Sequence, residues 1–249
     1  SIPTSMTAML ATALSVLLAF RTAQAYERWW EARIVWGAIV NDSRTLIRQL
    51  IQFVPKNNSN NKTIEIFAHR QIIWCYALGE SLRGLPFSNK VKQYINEQNI
   101  TDKNVPNAIL NKHSVALSQL EISEFKQVHI DSTLSRLCDA MGKCERIKNT
   151  VFPKSYSLLI HLLIYVFATL LPFGLDDKYI IEEIFLTTLI PLIFITIERT
   201  AIILQDPFEN SPSDTPMTNL AITIEINLKE MINDTNLPIQ EKPTSFYLM

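Results

Sequence analysis

One uncharged run constrains this chain more than anything else in it. Residues 2–20, IPTSMTAMLATALSVLLAF, contain no Asp, Glu, Lys or Arg. As a helix such a run spans roughly 28 Å, close to the thickness of a bilayer's hydrocarbon core. The chemistry then changes at once, to RTAQAYERWWEARIVWGAIVNDSRTLIRQL, with arginines at 21, 28, 33, 44 and 48 among Tyr26, Trp29, Trp30 and Trp36. That is a helix leaving lipid through an aromatic and basic interface.

The apolar part has two faces. Ala11, Ser15 and Ala19 form a ladder of small residues, which lets helix backbones approach closely in a membrane. Thr12, Val16 and Phe20 stand at i, i+4 and i+8 on the next stripe. That stripe packs inside a bundle, or it lines a pore with a ring of side chains per turn.

Two more runs are apolar enough to matter. Residues 155–175, SYSLLIHLLIYVFATLLPFGL, carry no formal charge, with His161 inside them. The plain reading of His161 is a neutral ring hydrogen-bonded to a neighbouring helix; a pore or proton role is the sharper one. Residues 184–204 are uncharged for 14 residues and then meet Glu198 and Arg199. They span only if those charges sit near an interface or pair within protein. Pro191 predicts a kink. Between the runs, LPFGLDDK reads as a tight turn, with Asp176 and Asp177 facing water. The two runs form an antiparallel hairpin.

The rest reads as polar helices. Trp29, Ala32, Val35, Trp36, Ile39 and Val40 recur at three and four, so the first helix continues to about Gln52. Pro55 and KNNSNNK predict a loop, and Thr63 a helix cap for residues 63–84, with Ile66, Ile73, Trp74, Tyr76 and Ala77 as the apolar set. Residues 87–121 predict short helices joined by polar turns at Asn99–Asn104. Residues 122–150 predict one long helix, capped by Ser123, with an apolar stripe of Phe125, Val128, Leu134, Leu137, Cys138 and Met141 and a break at Gly142. Pro153 breaks the path before the second run. DPFENSPSDTPM is a turn with three prolines. In Thr218–Asn233, ITIEI alternates like a strand. The last residues, LPIQEKPTSFYLM, predict an extended segment along a surface.

Several function classes are excluded or weakened. The net charge of −1 supplies no basic field for nucleic acid. None of the 5 glycines stands in a dinucleotide or phosphate-loop spacing. Cys75, Cys138 and Cys144 are odd in number and lack a CxxC pair, which points to reduced structural thiols. His69, His113, His129 and His161 are scattered, and no HExxH or GxSxG occurs. Glu145, Arg146 and Lys148 form a charged cluster beside a membrane entry, which reads as ion-paired structure. The chain therefore reads as no enzyme, with no catalytic residue, metal site or cofactor. Residues 21–152 hold 18 of the 23 Lys and Arg, which puts them and the carboxyl end on the cytoplasmic side.

FRTAQAYERWWEARIVWGAIVNDSR resembles the signature of the bestrophin family of ion channels in its bacterial form, and CERIKNT at 144–150, LPFGLDD at 171–177 and DPFENSPSDTP at 206–216 agree with it in order. The resemblance covers nearly the whole chain. It implies an all-α, polytopic membrane protein with a large helical cytoplasmic domain, assembling as a homopentamer around an axial pore in the bacterial inner membrane. It also implies a further membrane helix before residue 1 and a helix near Thr218–Asn233. Residues 1–20 would be the pore-lining helix, 21–152 the cytoplasmic domain, 153–205 the hairpin and 206–249 a cytoplasmic segment. The partners implied are other copies of the chain, lipid and small permeant ions. Thr12, Val16 and Phe20 would form the neck, and Val128 a cytoplasmic constriction, with Gln127 and Asp131 as neighbouring alternatives. Members are mostly anion channels, while bacterial relatives can favour cations. Thr12 and Val16 depart from the bulkier apolar residues often found in the family's neck. The alternative function is a membrane-anchored scaffold or receptor that binds a partner through its cytoplasmic helices.

Overall fold

The structure is a computed structural model that describes residues 3–55, 57–150, 152–175 and 180–239. Among these residues every regular element is helical: α1 (Thr4–Phe53), α2 (Asn58–Arg83), α3 (Asn89–Glu97), α4 (Val105–Ser118), α5 (Glu124–Asn149), α6 (Lys154–Leu170), a 3-10 turn (Pro172–Gly174), α7 (Ile180–Gln205) and α8 (Met217–Met231). The chain divides into two units, one of Ser1–Trp30 with Thr150–Pro207 and one of Glu31–Asn149 with Phe208–Met249. Helix α1 contributes to both.

In the first unit α1 and α7 are long and apolar enough to cross a membrane, and α6 is shorter. Leu14 and Leu18 of α1 are buried against Ile160, Ile164 and Phe167 of α6 and Phe194 of α7. The Phe167 and Phe194 rings meet edge-on, 5.4 Å apart. The 155–175 run is helical up to the turn expected at LPFGLDDK. Helix α6 has 17 residues, about 26 Å of rise, and Pro172 then turns the chain. Gly174 lies so close to α1 that a β-carbon there would stand 2.9 Å from Thr7 Cγ2. Asp176, Asp177 and Lys178 lie outside the described residues. Helix α7 starts earlier than its uncharged run and passes through the buried Pro191 without ending. Its last carbonyl, at Gln205, accepts from Arg28 Nε at 2.9 Å, and Arg28 Nη1 also donates to the Thr150 carbonyl. Those contacts satisfy groups that a helix end leaves open.

In the second unit α8 and α4 pack on α2, and α5 packs on α4. Most of the predicted α1 face is in the core: Ala32, Val35, Trp36, Ile39 and Val40 are buried with Phe67 and Trp74 of α2, whereas Trp29 is half-buried. Helix α2 begins before its predicted start. Asn57 caps it by accepting from the Asn60 amide, so part of KNNSNNK is helical. Thr63 is inside the helix, its hydroxyl donating to the Ser59 carbonyl at 3.2 Å. An Asn side chain at the first turn serves the free amides as well as Thr would. Ile66 is exposed, whereas Ile73, Trp74 and Ala77 are buried. Gly84 ends α2 in the left-handed region at φ 65°, where a residue without a β-carbon is unstrained.

The stripe predicted on α5 divides. Leu134, Leu137 and Met141 are buried, while Phe125, Val128 and Cys138 are exposed, and Gly142 does not interrupt the helix. The ITIEI alternation forms no strand. In α8 the buried positions are Met217, Ala221, Ile224, Glu225 and Leu228, at helical intervals. Residues 240–249 of the expected extended tail lie outside the described residues.

Glu225 is the polar centre of this unit. It accepts from Tyr76 at 2.9 Å, and pairs with Lys90 at 2.6 Å and Lys229 at 3.0 Å. Burial alone would raise its carboxyl, but the hydrogen bonds from Lys90, Lys229 and Tyr76 outweigh that and hold it below the ordinary value. Burial and the Glu225 charge push the Tyr76 phenol far up. Ser43, Gln71 and Cys75 form a second buried polar group. Gln71 Nε2 donates to Ser43 Oγ at 2.8 Å, and Ser43 donates to the Ile39 carbonyl. Burial raises the thiols of Cys75 and Cys144 to about 12.

Two outcomes test this packing. Gly174→Ala is expected to lower stability in detergent by about 1–3 kcal/mol through overpacking, and Thr7→Ala in the same chain to restore most of it, both read by thermal melting. Glu225→Gln is expected to cost about 1–3 kcal/mol at neutral pH, because Lys90, Lys229 and Tyr76 lose an ionised partner. The folded carboxyl titrates below its ordinary value of 4.5. Its stabilisation is therefore complete above that pH and lost as acid protonates the folded group, so parent and variant should converge there.

Candidate functional site

Each residue of the predicted neck is exposed in the chain. Thr12 is exposed, Val16 is 49% exposed and Phe20 is 64% exposed. Leu14 and Leu18 point the other way, into the core with α6 and α7. The helix period explains the division, since residues four apart stay on one stripe while neighbours two apart fall nearly opposite. Thr12 donates its hydroxyl to the Ala8 carbonyl at 2.9 Å, so its methyl and oxygen stay close to the helix surface. Phe20 is therefore no intrachain core residue. Ala11 is half-buried, and Ser15 and Ala19 are exposed. Beside them lies an apolar cavity of about 500 Å³ lined by Ser15, Ala19, Ala23, Tyr26, Phe194 and Ile197.

The residue after Phe20 behaves oppositely. Arg21 Nη1 donates to Glu198 Oε1 at 2.8 Å, and the two side chains are 2% and 3% exposed. The Arg21 guanidinium also stands over the Phe152 ring at 5.2 Å. His161 Nε2 lies 3.0 Å from the other oxygen, Glu198 Oε2. One carboxylate on α7 thus joins α1 to α6. In the sequence these residues stand far apart, and nothing in their spacing pairs them. The available signal was that each is ionisable and stands in or at the edge of an apolar run. The expectation for His161 was a hydrogen bond to a neighbouring helix, and its partner is a carboxylate. Arg199, next to Glu198, is exposed.

In the second unit Val128 is 67% exposed near the start of α5, and Phe125, three residues earlier, is 84% exposed. Gln127 turns back to donate to the Leu120 carbonyl at 3.0 Å. Asp131 is exposed and lines a polar groove of about 660 Å³ with Asn107, Asn111, Ser135 and Cys138.

The acidic turn has its own partner. Asp214 is buried, and its two carboxylate oxygens accept from the Ser211 amide at 2.9 Å and the Ser211 hydroxyl at 2.7 Å. Glu209 is exposed, and Asn210 takes a left-handed turn at φ 72°. Among the described residues no group of three or more His, Cys, Asp or Glu converges as metal ligands would. His113 is fully buried beside the Phe67 ring, and burial with the nearby Arg70 charge drives it well below its ordinary value, so it stays neutral.

Comparison with known proteins covers most of the chain. It is 27% identical to the voltage-dependent anion channel-forming protein YneE of Escherichia coli K12, over 96% of this chain and 80% of that protein. It is also 27% identical to a voltage-dependent anion channel-forming protein of Synechocystis, over 93% of this chain and 78% of that one. Among solved structures, a bacterial bestrophin homologue from Klebsiella pneumoniae superposes with a TM-score of 0.86 at 27% identity, covering 94% of this chain and 88% of that one. The family described as Bacterial/Fungal Bestrophin protein matches residues 1–230. With that match and, among the described residues, an all-helical build with two helices of membrane-crossing length, this chain is a membrane protein of the bacterial and fungal bestrophin family.

Proposed function

We propose that this chain forms an ion channel, as a homopentamer in the bacterial inner membrane, with residues 1–20 lining the pore. The observation that carries the reading is the exposed Thr12, Val16 and Phe20 stripe on a helix long enough to cross a membrane. A membrane helix that turns a threonine, a valine and a phenylalanine away from its own chain needs lipid, another subunit or a pore beside it. A closed ring of copies encloses water while leaving every backbone group bonded within a helix. Small residues at Ala11, Ser15 and Ala19 suit close helix contacts in such a ring. The relatives' anion-channel activity supports anions as the permeant class.

In this arrangement residues 21–152 and 206–249 are cytoplasmic, and residues 153–205 form a membrane hairpin. Phe20 guards the cytoplasmic mouth of the neck, and Val128 narrows the pathway again in the cytoplasmic domain. An ion crossing an apolar ring sheds water without polar replacement, so ring width sets the barrier. The function is then transport rather than catalysis. Purified protein in a planar bilayer with asymmetric salts tests it: the reversal potential gives the ion preference, and native mass gives the copy number. Silence from an intact oligomer, or a monomer by mass, would favour the scaffold reading.

Phe20→Ala is expected to raise conductance or open probability, and Val16→Ala to do so more weakly. Thr12→Ala should alter the reversal potential more than the conductance. Single-channel recording beside thermal melting checks all three, since unchanged conductance with reduced stability would place Phe20 in subunit packing.

Calcium should not open this channel at micromolar levels. A calcium ion takes six to eight oxygen ligands, several of them carboxylates. In DPFENSPSDTP, Ser211 already engages both Asp214 oxygens, and Glu209 is separated from Asp214 in sequence by four neutral residues. Currents recorded with chelator and with micromolar free calcium should superimpose.

A further inference from the structure

We propose that Arg21, Glu198 and His161 are positioning residues that hold α1 at the rotation which presents Phe20 to the pore. This rests on the neck reading above and adds the device that sets the neck's geometry.

Phe20 and Arg21 are consecutive, so their side chains leave α1 about 100° apart. One is 64% exposed and the other 2% exposed. Turning α1 far enough to swing Phe20 aside pulls Arg21 Nη1 from Glu198 Oε1, now 2.8 Å away. Glu198 is not free to follow, because His161 of α6 holds its second oxygen at 3.0 Å. The carboxylate is thereby fixed from two helices while it receives the guanidinium of a third.

Chemistry favours the closed arrangement. An unpaired charge among apolar helices is costly, and removing one partner leaves the other unsolvated. The Phe152 ring beneath the guanidinium removes one direction of escape. Among the described residues Arg21 Nε has no hydrogen-bond partner, so the Glu198 contact is its polar attachment. Leu14 and Leu18 seat the helix by packing alone, and packing tolerates small rotations. A single directional ion pair one residue from Phe20 does not.

The experiment is single-channel recording from the reconstituted full chain, with thermal melting to confirm folding. The variants are Glu198→Gln, nearly isosteric, Arg21→Gln, the Arg21→Gln/Glu198→Gln pair, Arg21→Lys and Phe20→Ala. Glu198→Gln and Arg21→Gln should each change conductance or open probability by about twofold or more. The double variant should do no more than either single change, and Arg21→Lys should stay nearer the parent. In a Phe20→Ala background Glu198→Gln should lose its effect, because the ring it positions is gone. A general loss of structure would not depend on residue 20. If folded Glu198→Gln conducts as the parent does, or acts equally without Phe20, the inference is wrong while the neck stands. If Phe20→Ala leaves conductance unchanged, or the parent is silent, the neck reading falls and takes the inference with it.

Discussion

A charge carried on a membrane helix must find its opposite inside the protein, and the contact of Arg21 with Glu198 at 2.8 Å is where this chain meets that demand. Neither group could remain ionised and alone among Leu, Ile and Phe side chains without a cost of several kcal/mol. Helix α7 passes from its apolar run to Glu198 because Arg21 waits there, and His161 lies against the same carboxylate. The three helices of the first unit are joined by this polar cluster, by the Arg28 contact with the Gln205 carbonyl, and by the apolar cluster around Leu14, Leu18 and Phe167. Arg28 serves the helix ends at Gln205 and Thr150, while hydroxyls such as Thr12, Ser15 and Thr22 bond back to carbonyls of their own helix.

The second unit solves a similar problem around another buried carboxylate. Its core is apolar and extensive, yet Glu225 sits in it with Tyr76, Lys90 and Lys229 around the carboxylate. These contacts link α8 to α2 and α3, elements far apart in sequence. Ser43, Gln71 and Cys75 do the same for α1 and α2 on a smaller scale. Directional hydrogen bonds of this kind select one register where apolar packing alone would accept several. Burial, not these bonds, keeps the Cys75 and Cys144 thiols protonated, while Cys138 faces solvent.

Exposed apolar residues are divided by setting. On α1, Val16 and Phe20 stand out from the first unit, and on α5, Phe125 and Val128 stand out from the second. In both places an i, i+3 or i, i+4 pair faces away from the chain's own core. Such pairs are spared by folding of the single chain, and their environment is supplied by whatever surrounds it. That is the physical basis for reading the functional surface from what the fold leaves unburied.

Much of the architecture was legible from residue order alone. The uncharged run before Arg21, the Trp29 to Val40 spacing and the prolines at 153 and 172 placed helices because burial and backbone chemistry act locally. The bestrophin signature was legible for the same reason, as a contiguous string. Sequence could not say which half of the α5 stripe is buried, since Phe125 and Val128 share a period with Leu134 and Leu137. Nor could it start α2 at Asn58, because Asn and Thr are both good caps and only the surrounding packing chooses between them. ITIEI became helical because Ile224 and Leu228 meet a core built by distant elements. The Arg21, Glu198 and His161 cluster belongs wholly to tertiary structure: its first two members are 177 residues apart, and no local preference can announce a partner at that distance.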